Sequence, residues 1–381
     1  MNKRELRRLV VKSLTQQGFI IKSGHISPPL NLDKNRLREL HATAVSFRRE
    51  KAKLTLMKME TKLLEHIASG SEVVPNLIVP RLVQVLPNSE EELLFRYASL
   101  HWSIPVSSGY GRRLRFLVLD RQNNKLIGIF GLGDPVFSVE GRDEWIGWTQ
   151  IDKKERLSKV IEAYIMGAVP PYSFLLCGKL IAMLAASNEV REIFQSKYAG
   201  QRSMISGHLH SGQLALLVTS SALGRSSIYN RVAYKGRPLY LHAGFTKGSG
   251  EFHFSNGIYG SLFNYALANC EPTAKHTLWG RGFRSRRETI KKCLAAIGLS
   301  SDWLYHGIQR EIFVAPLAQN TQQFLCGKQP ELSCFDQSVD DLYIYFQTRW
   351  LLPRATRDLR YKQFERSSYR LWANSNIRTP C

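Results

Sequence analysis

The sequence predicts an α+β protein: a mixed-sheet core over residues 76–255, a basic helical region over 1–75, and a basic, mainly helical region over 256–381. Apolar runs of strand length crowd the middle of the chain, the flanks show helical spacing, and Lys and Arg concentrate in those flanks. The 381 residues suffice for one large domain or two to three small ones. With 44% hydrophobic residues, including 18 Phe, 15 Tyr and 7 Trp, the chain is not disordered.

Each element follows from local chemistry. Residues 3–17 read as a short basic helix, and Gly24 with Pro28-Pro29 then stops regular structure. Residues 32–68 lack Gly and Pro and predict one long helix, with Leu37, Leu40, Ala44, Phe47, Leu54, Met57, Leu63 and Leu64 at three- and four-residue steps and Gly70 ending it. Its Arg48, Arg49, Lys51 and Lys53 form either a solvated face or a phosphate-contacting one. RLVQVLP is a strand, and Ser89 followed by acidic residues opens a helix. RRLRFLVLD and KLIGIFGLG make a hairpin around Asn123-Asn124.

DPVFSVEGRDEWIGWTQ reads as strand-rich with a polar break at Gly141-Arg142-Asp143. KVIEAYIMGAV is a further strand, and Pro170-Pro171 leads into a helix over residues 173–187. After a linker come the strand LALLVTS and a hairpin in PLYLHAGFTKGSGEFHF. From residue 256 onward the chain is mostly helical, around TIKKCLAAIGL and SVDDLYIYFQTRWLL. The resulting order is unlike a doubly wound nucleotide fold.

The balance of 53 Lys+Arg against 31 Asp+Glu is a net charge of +22, which calls for a polyanion partner: nucleic acid first, an anionic membrane surface second. Residues 1–69 hold 15 basic against 6 acidic residues, and residues 271–381 hold 17 against 10, so the flanks are the expected contact regions. No CxxC pair occurs among the six cysteines, the N-terminus lacks an apolar leader, and no run approaches a membrane span. A reduced, cytoplasmic protein is expected.

The stretch TSSALGRSSIYNR (219–231) is the main site candidate. Thr219, Ser220 and Ser221 would emerge at the C-terminal end of a buried strand, where ligands collect. Ser226 or Ser227 would cap a short helix, Arg225 and Arg231 would stand beside exposed N–H groups, and Asn230 belongs to the same candidate set. Hydroxyl, N–H and guanidinium donors together suit a phosphate; the alternative is a helix cap with structural arginines. Lys247 joins the phosphate-binding set. In GRDEWIGW, Asp143 beside Arg142 stays ionised, so it is a poor general acid; it would orient Arg142 or hold a metal with Asp134 or Asp152, or else form a structural pair. Asp143, Ser220 and Tyr229 are the catalytic candidates, whether or not catalysis occurs. His208, His210 and His253 lack a zinc-ligand pattern, and no metal is expected.

In RGFRSRRETIKK, Arg284, Arg287 and Lys291 fall on one helical face, and Trp279 and Phe283 are placed to stack on bases. The tail 349–370 has seven basic and two acidic residues, with Arg354 and Arg357 near Trp350. It suits a nucleic acid or an acidic protein.

The element order of residues 80–255 resembles the GNAT-like (N-acetyltransferase-like) fold, with the family's cofactor-capping helix matched by VPPYSFLLCGKLIAML, 169–184. The Gly-rich loop of that family is absent. Only Gly178 survives, between bulky Leu176 and Cys177, so acetyl-CoA is not an expected cofactor. Five blocks in order, GRDEWIGW, TSSALGRSSIYNR, GFTKGSGEFHF, HGIQREIF and RWLLPRA, resemble the DruA family of the Druantia anti-phage defence system. The resemblance implies a prokaryotic cytosolic protein acting with other Druantia gene products, one of them helicase-like. Nucleic-acid binding is then the leading function, with DNA favoured over RNA. A metal-dependent nuclease, an acyltransferase and an assembly adaptor are the alternatives.

Overall fold

The computed structural model describes residues 1–106, 111–202, 207, 209–255, 257–272, 279 and 283–372. α1 (Lys3–Gln16) opens with a capping box between Asn2 and Glu5 and buries Leu6, Val10 and Leu14 at four-residue spacing. A short hairpin, β1 (Ile20–Lys22) with β2 (His25–Ser27), precedes α2 (Lys34–Leu56).

The long helix is interrupted. A 3₁₀ turn at Met57–Met59 separates α2 from α3 (Glu60–Leu64), which ends short of residue 68. Leu37 and Leu40 pack in one core cluster and Leu56, Leu63 and Leu64 in another. Between these anchorages Phe47 and Leu54 are exposed, so the apolar stripe read from the sequence is not continuous.

β3 (Pro80–Gln84), α4 (Glu90–Ser99, capped by Ser89), β4 (Arg113–Asp120) and β5 (Leu126–Gly133) form as the sequence suggests. The following segment is helical, not extended. α5 (Glu140–Ile146) stops at left-handed Gly147, and α6 (Gln150–Arg156) starts from a capping box between Thr149 and Asp152. β6 (Val160–Ala168) leads through a 3₁₀ turn at Tyr172–Leu175 into α7 (Cys177–Leu184). The expected linker contains α8 (Asn188–Tyr198), which buries Val190, Phe194 and Tyr198 at four-residue intervals.

β7 (Leu216–Ser220) is followed by a small hairpin of β8 (Ala233–Tyr234) and β9 (Arg237–Pro238), then β10 (Leu241–Phe245). The expected hairpin of residues 238–254 does not form. β10 pairs with β11 (Glu311–Pro316), a strand within the mainly helical last part of the chain. That part also supplies α9 (Ile258–Asn269), α10 (Phe283–Ala296), α11 (Thr321–Leu325), α12 (Val339–Phe346) and α13 (Leu352–Arg357).

Seven strands make one mixed sheet in the order β10-β11-β7-β6-β5-β4-β3. Every neighbouring pair is antiparallel except β6 and β7, which run parallel. Their pairing covers only Val160–Ala163 against Leu216–Thr219, while β6 continues to Ala168 on β5 alone. The sheet is therefore forked beyond Ala163, and buried α7 packs beside the fork.

Candidate functional site

The fork opens a cleft of about 570 Å³. β6 contributes Gly167 and Ala168, the start of α7 contributes Gly178 and Lys179, and the turn after β7 contributes Ser227, Ile228 and Arg231. Arg354 of α13 reaches it from the far end of the chain, and Trp102 and Leu176 complete its apolar walls. A Cβ at Gly167 would come within 2.9 Å of the Trp102 ring, so glycine here lets the indole lie against β6.

Lys179 is the unusual group. It is 8% exposed, and its Nζ has no hydrogen-bond partner. The ammonium stands 5.3 Å from the Trp350 ring centroid, a cation–π contact that offsets only part of its desolvation. Burial, and then the Arg231 guanidinium, push its pKa down. Arg231 is exposed and meets no carboxylate among the described residues. Arg354 is half-buried, donates to the Phe174 carbonyl at 3.1 Å and pairs with Asp358. Positive charge in the cleft thus exceeds its counter-charge, which is the electrostatic condition for binding an anion.

The Ser/Arg stretch divides between scaffold and cleft. Thr219 Oγ1 donates to the Ala163 carbonyl at 3.0 Å, tying β7 to β6 at the last paired position. Ser221 Oγ accepts from the Glu311 N–H at 3.2 Å, and Ser220 pairs opposite Ile312. Ser226 Oγ accepts from the Tyr229 N–H at 3.0 Å, while the Ser226 N–H donates to Glu311 at 2.8 Å. Asn230 donates to the Ser226 carbonyl at 2.8 Å. Tyr229 packs on Tyr240 and Phe313, and burial pushes its hydroxyl up to about 12. Arg225 is exposed but does not line the cleft. Of this stretch, Ser227, Ile228 and Arg231 are the cleft residues.

Arg142 and Asp143 lie elsewhere and are structural. Arg142 is 0% exposed; it donates to Asp143 at 2.6 and 2.8 Å and to the carbonyls of Val136 and Phe137. Asp143 also accepts from Lys153 at 2.7 Å. Arg142 is thus a core residue with its donors engaged, not a phosphate ligand, and Asp143 is saturated with cations. Lys247 pairs with Glu140 at 3.2 Å on a smaller cavity of mixed charge.

The remaining basic candidates do not converge on the fork. Arg287 and Lys291 ride on α10, which packs with α9 in the cluster holding α1, and the Arg284 side chain falls outside the described residues. Arg357 is exposed and donates to the Pro353 carbonyl at 2.9 Å. His253 is buried with Nε2 2.8 Å from the Trp303 carbonyl; His208 lies outside the described residues. Among the described residues no group of three or more His, Cys, Asp or Glu is placed to hold a metal, and no helix is long and apolar enough to cross a membrane. Sequence reasoning had Arg231 and Arg354 but missed Lys179, whose signal was a lone lysine inside the apolar run FLLCGKLIAMLAAS.

The fold and the cleft define a mixed-sheet α+β protein with a cation-lined pocket at the end of β6 left unpaired by β7. The chain belongs to the family described as "Druantia protein DruA", whose profile matches residues 31–327. A relative bearing that name, from Escherichia coli (strain UMEA 4076-1), is 36% identical over 380 residues, covering 99% of this chain and 94% of its own. No solved structure matches the chain.

Proposed function

We propose that this protein is the nucleic-acid-binding component of a Druantia anti-phage system and acts in the cytoplasm with other Druantia proteins, a helicase-like one among them. One observation carries the reading: on a chain of net charge +22, Lys179 is buried without an acceptor in a cleft shared with Arg231 and Arg354. Phosphates are the anions that such a strongly basic surface gathers. Memberships in a defence family and a polyanion-seeking charge point the same way. The reading calls on no cofactor.

The test is fluorescence anisotropy of a labelled single-stranded oligonucleotide at 50 and 200 mM salt, with the chain and its Lys179→Met/Arg231→Gln/Arg354→Gln variant. Binding that weakens with salt, and at least tenfold further in the variant, supports the reading. Absence of binding at 50 mM, or salt-independent binding, overturns it.

A further inference from the structure

We infer that the fork cleft is an end-reading pocket: it takes the terminal phosphate of a nucleotide unit on Lys179 and Arg231, with the base against the Trp102 wall. This rests on the nucleic-acid reading above and narrows it. Three observations carry it. The first is size: about 570 Å³ lies within the range of small-ligand pockets, about 300–1,000 Å³, and suits one nucleotide unit better than a continuous strand.

The second is wall chemistry. Trp102, Gly167, Ala168, Leu176 and Ile228 present apolar surface with Lys179 and Arg231 among them. A groove that tracks a backbone needs cations along its length, whereas a nucleotide pocket needs an apolar seat for the base and a local cluster for the phosphate. Trp102 supplies the aromatic part of such a seat.

The third is charge matching. Arg354 already has the Asp358 carboxylate, so Lys179 and Arg231 are the cations left to balance. A bridging phosphodiester brings one negative charge. A terminal phosphate brings about 1.5 to 2 and a third acceptor oxygen. Two uncompensated cations, one nine-tenths buried and without an acceptor, match the terminal group. Ser227 lines the same cleft, and the N-terminal turn of the eight-residue α7 adds its partial positive charge.

The same phosphate chemistry is offered by a strand end and by a free nucleotide, and the experiment separates them. Oligonucleotides of one sequence, with a 5′-phosphate, a 3′-phosphate or neither, are titrated against the full chain while tryptophan fluorescence is followed. Deoxyadenosine 5′-monophosphate is the competitor. The expected result is at least a tenfold gain for one phosphorylated end, accompanied by quenching. Lys179→Met removes that gain, and Ser227→Glu, an exposed substitution that leaves the core intact, removes it as well. Displacement by millimolar monophosphate with no gain for either oligonucleotide end assigns the pocket to the free nucleotide and supports the chemistry. Equal binding of all three oligonucleotides, with no effect of the monophosphate, overturns the pocket and leaves the nucleic-acid reading standing. Loss of all binding overturns both.

Discussion

Asp143 carries two cations at once. Its Oδ1 accepts from Arg142 and its Oδ2 from Lys153, and all three side chains are at least nine-tenths buried. Truncating the carboxylate leaves a wholly buried guanidinium without a counter-charge, which costs about 3–5 kcal/mol. Asp143→Ala is therefore expected to lower the melting temperature sharply, and Asp143→Asn, which keeps the shape, to fall between it and the parent. An unchanged melting temperature in Asp143→Ala, read by circular dichroism, would remove the structural assignment. The sequence placed Asp143 beside Arg142, because neighbours in the chain are neighbours in space. It did not show that Lys153 closes the pair, since that depends on the α5–α6 turn. The cleft is harder still to read. Lys179, Arg231 and Arg354 lie far apart along the chain and meet only after the sheet forks.

Elements were legible where their cause is local. The β4–β5 hairpin has apolar runs on both sides of one turn, and Ser89 caps α4 through its own neighbours. β11 was not legible, because both of its partners, β10 and β7, are remote in sequence. α5 was missed because seven residues are too few to establish a helical period, although Gly147 and the Thr149–Asp152 box marked its surroundings. α5 also lies very close to β10: a Cβ at Gly141 would meet the Ala243 carbonyl oxygen at 1.8 Å. Gly141→Ala must push the helix off the strand, at a cost of about 1–3 kcal/mol, measurable as a lowered denaturation midpoint. A second junction, of α2 with the 252–254 turn and the loop before β11, buries His41, His253 and His306 around Phe252 with Arg310 nearby. Burial holds His41 and His253 down at about 4 and His306 at about 3, against an ordinary value of 6.5. Between pH 6.5 and 4 the unfolded chain takes up protons that the folded junction refuses. Stability therefore rises with pH across this window and is lost on acidification, by up to about 2 kcal/mol per imidazole at pH 5. His41→Phe, which keeps a ring on Phe252, is expected to shrink the difference in melting temperature between pH 7 and pH 5.

At the scale of the whole molecule, the charge of +22 is legible from composition, but its distribution is not. The C-terminal basic segment is no free arm. Arg354 and Arg360 share Asp358, Arg366 reaches Glu72, Arg370 faces buried Glu60, and Tyr361, Tyr369 and Trp372 are buried. Much of that segment's charge is thus answered internally, Arg366 and Arg370 by carboxylates of the N-terminal region. Such an excess acts on folding and on binding with opposite dependence on salt. Self-repulsion destabilises the folded chain, so raising NaCl from 50 to 300 mM is expected to raise the melting temperature of the free protein. The same salt is expected to weaken the proposed complex with single-stranded nucleic acid. In the proposed complex, phosphate contacts at Lys179 and Arg231 would give a slope of log affinity against log salt of about −1.4, and each further contact would steepen it by about 0.7. At 50 mM the oligonucleotide itself replaces the missing counter-charge and raises the melting temperature by mass action; at 300 mM that gain shrinks. Crossing trends with salt, stability rising and binding falling, are the signature of a fold that keeps its positive charge for a polyanion. If both quantities rise together, the surface charge serves another purpose and the cleft must be read as a binding site for an uncharged ligand.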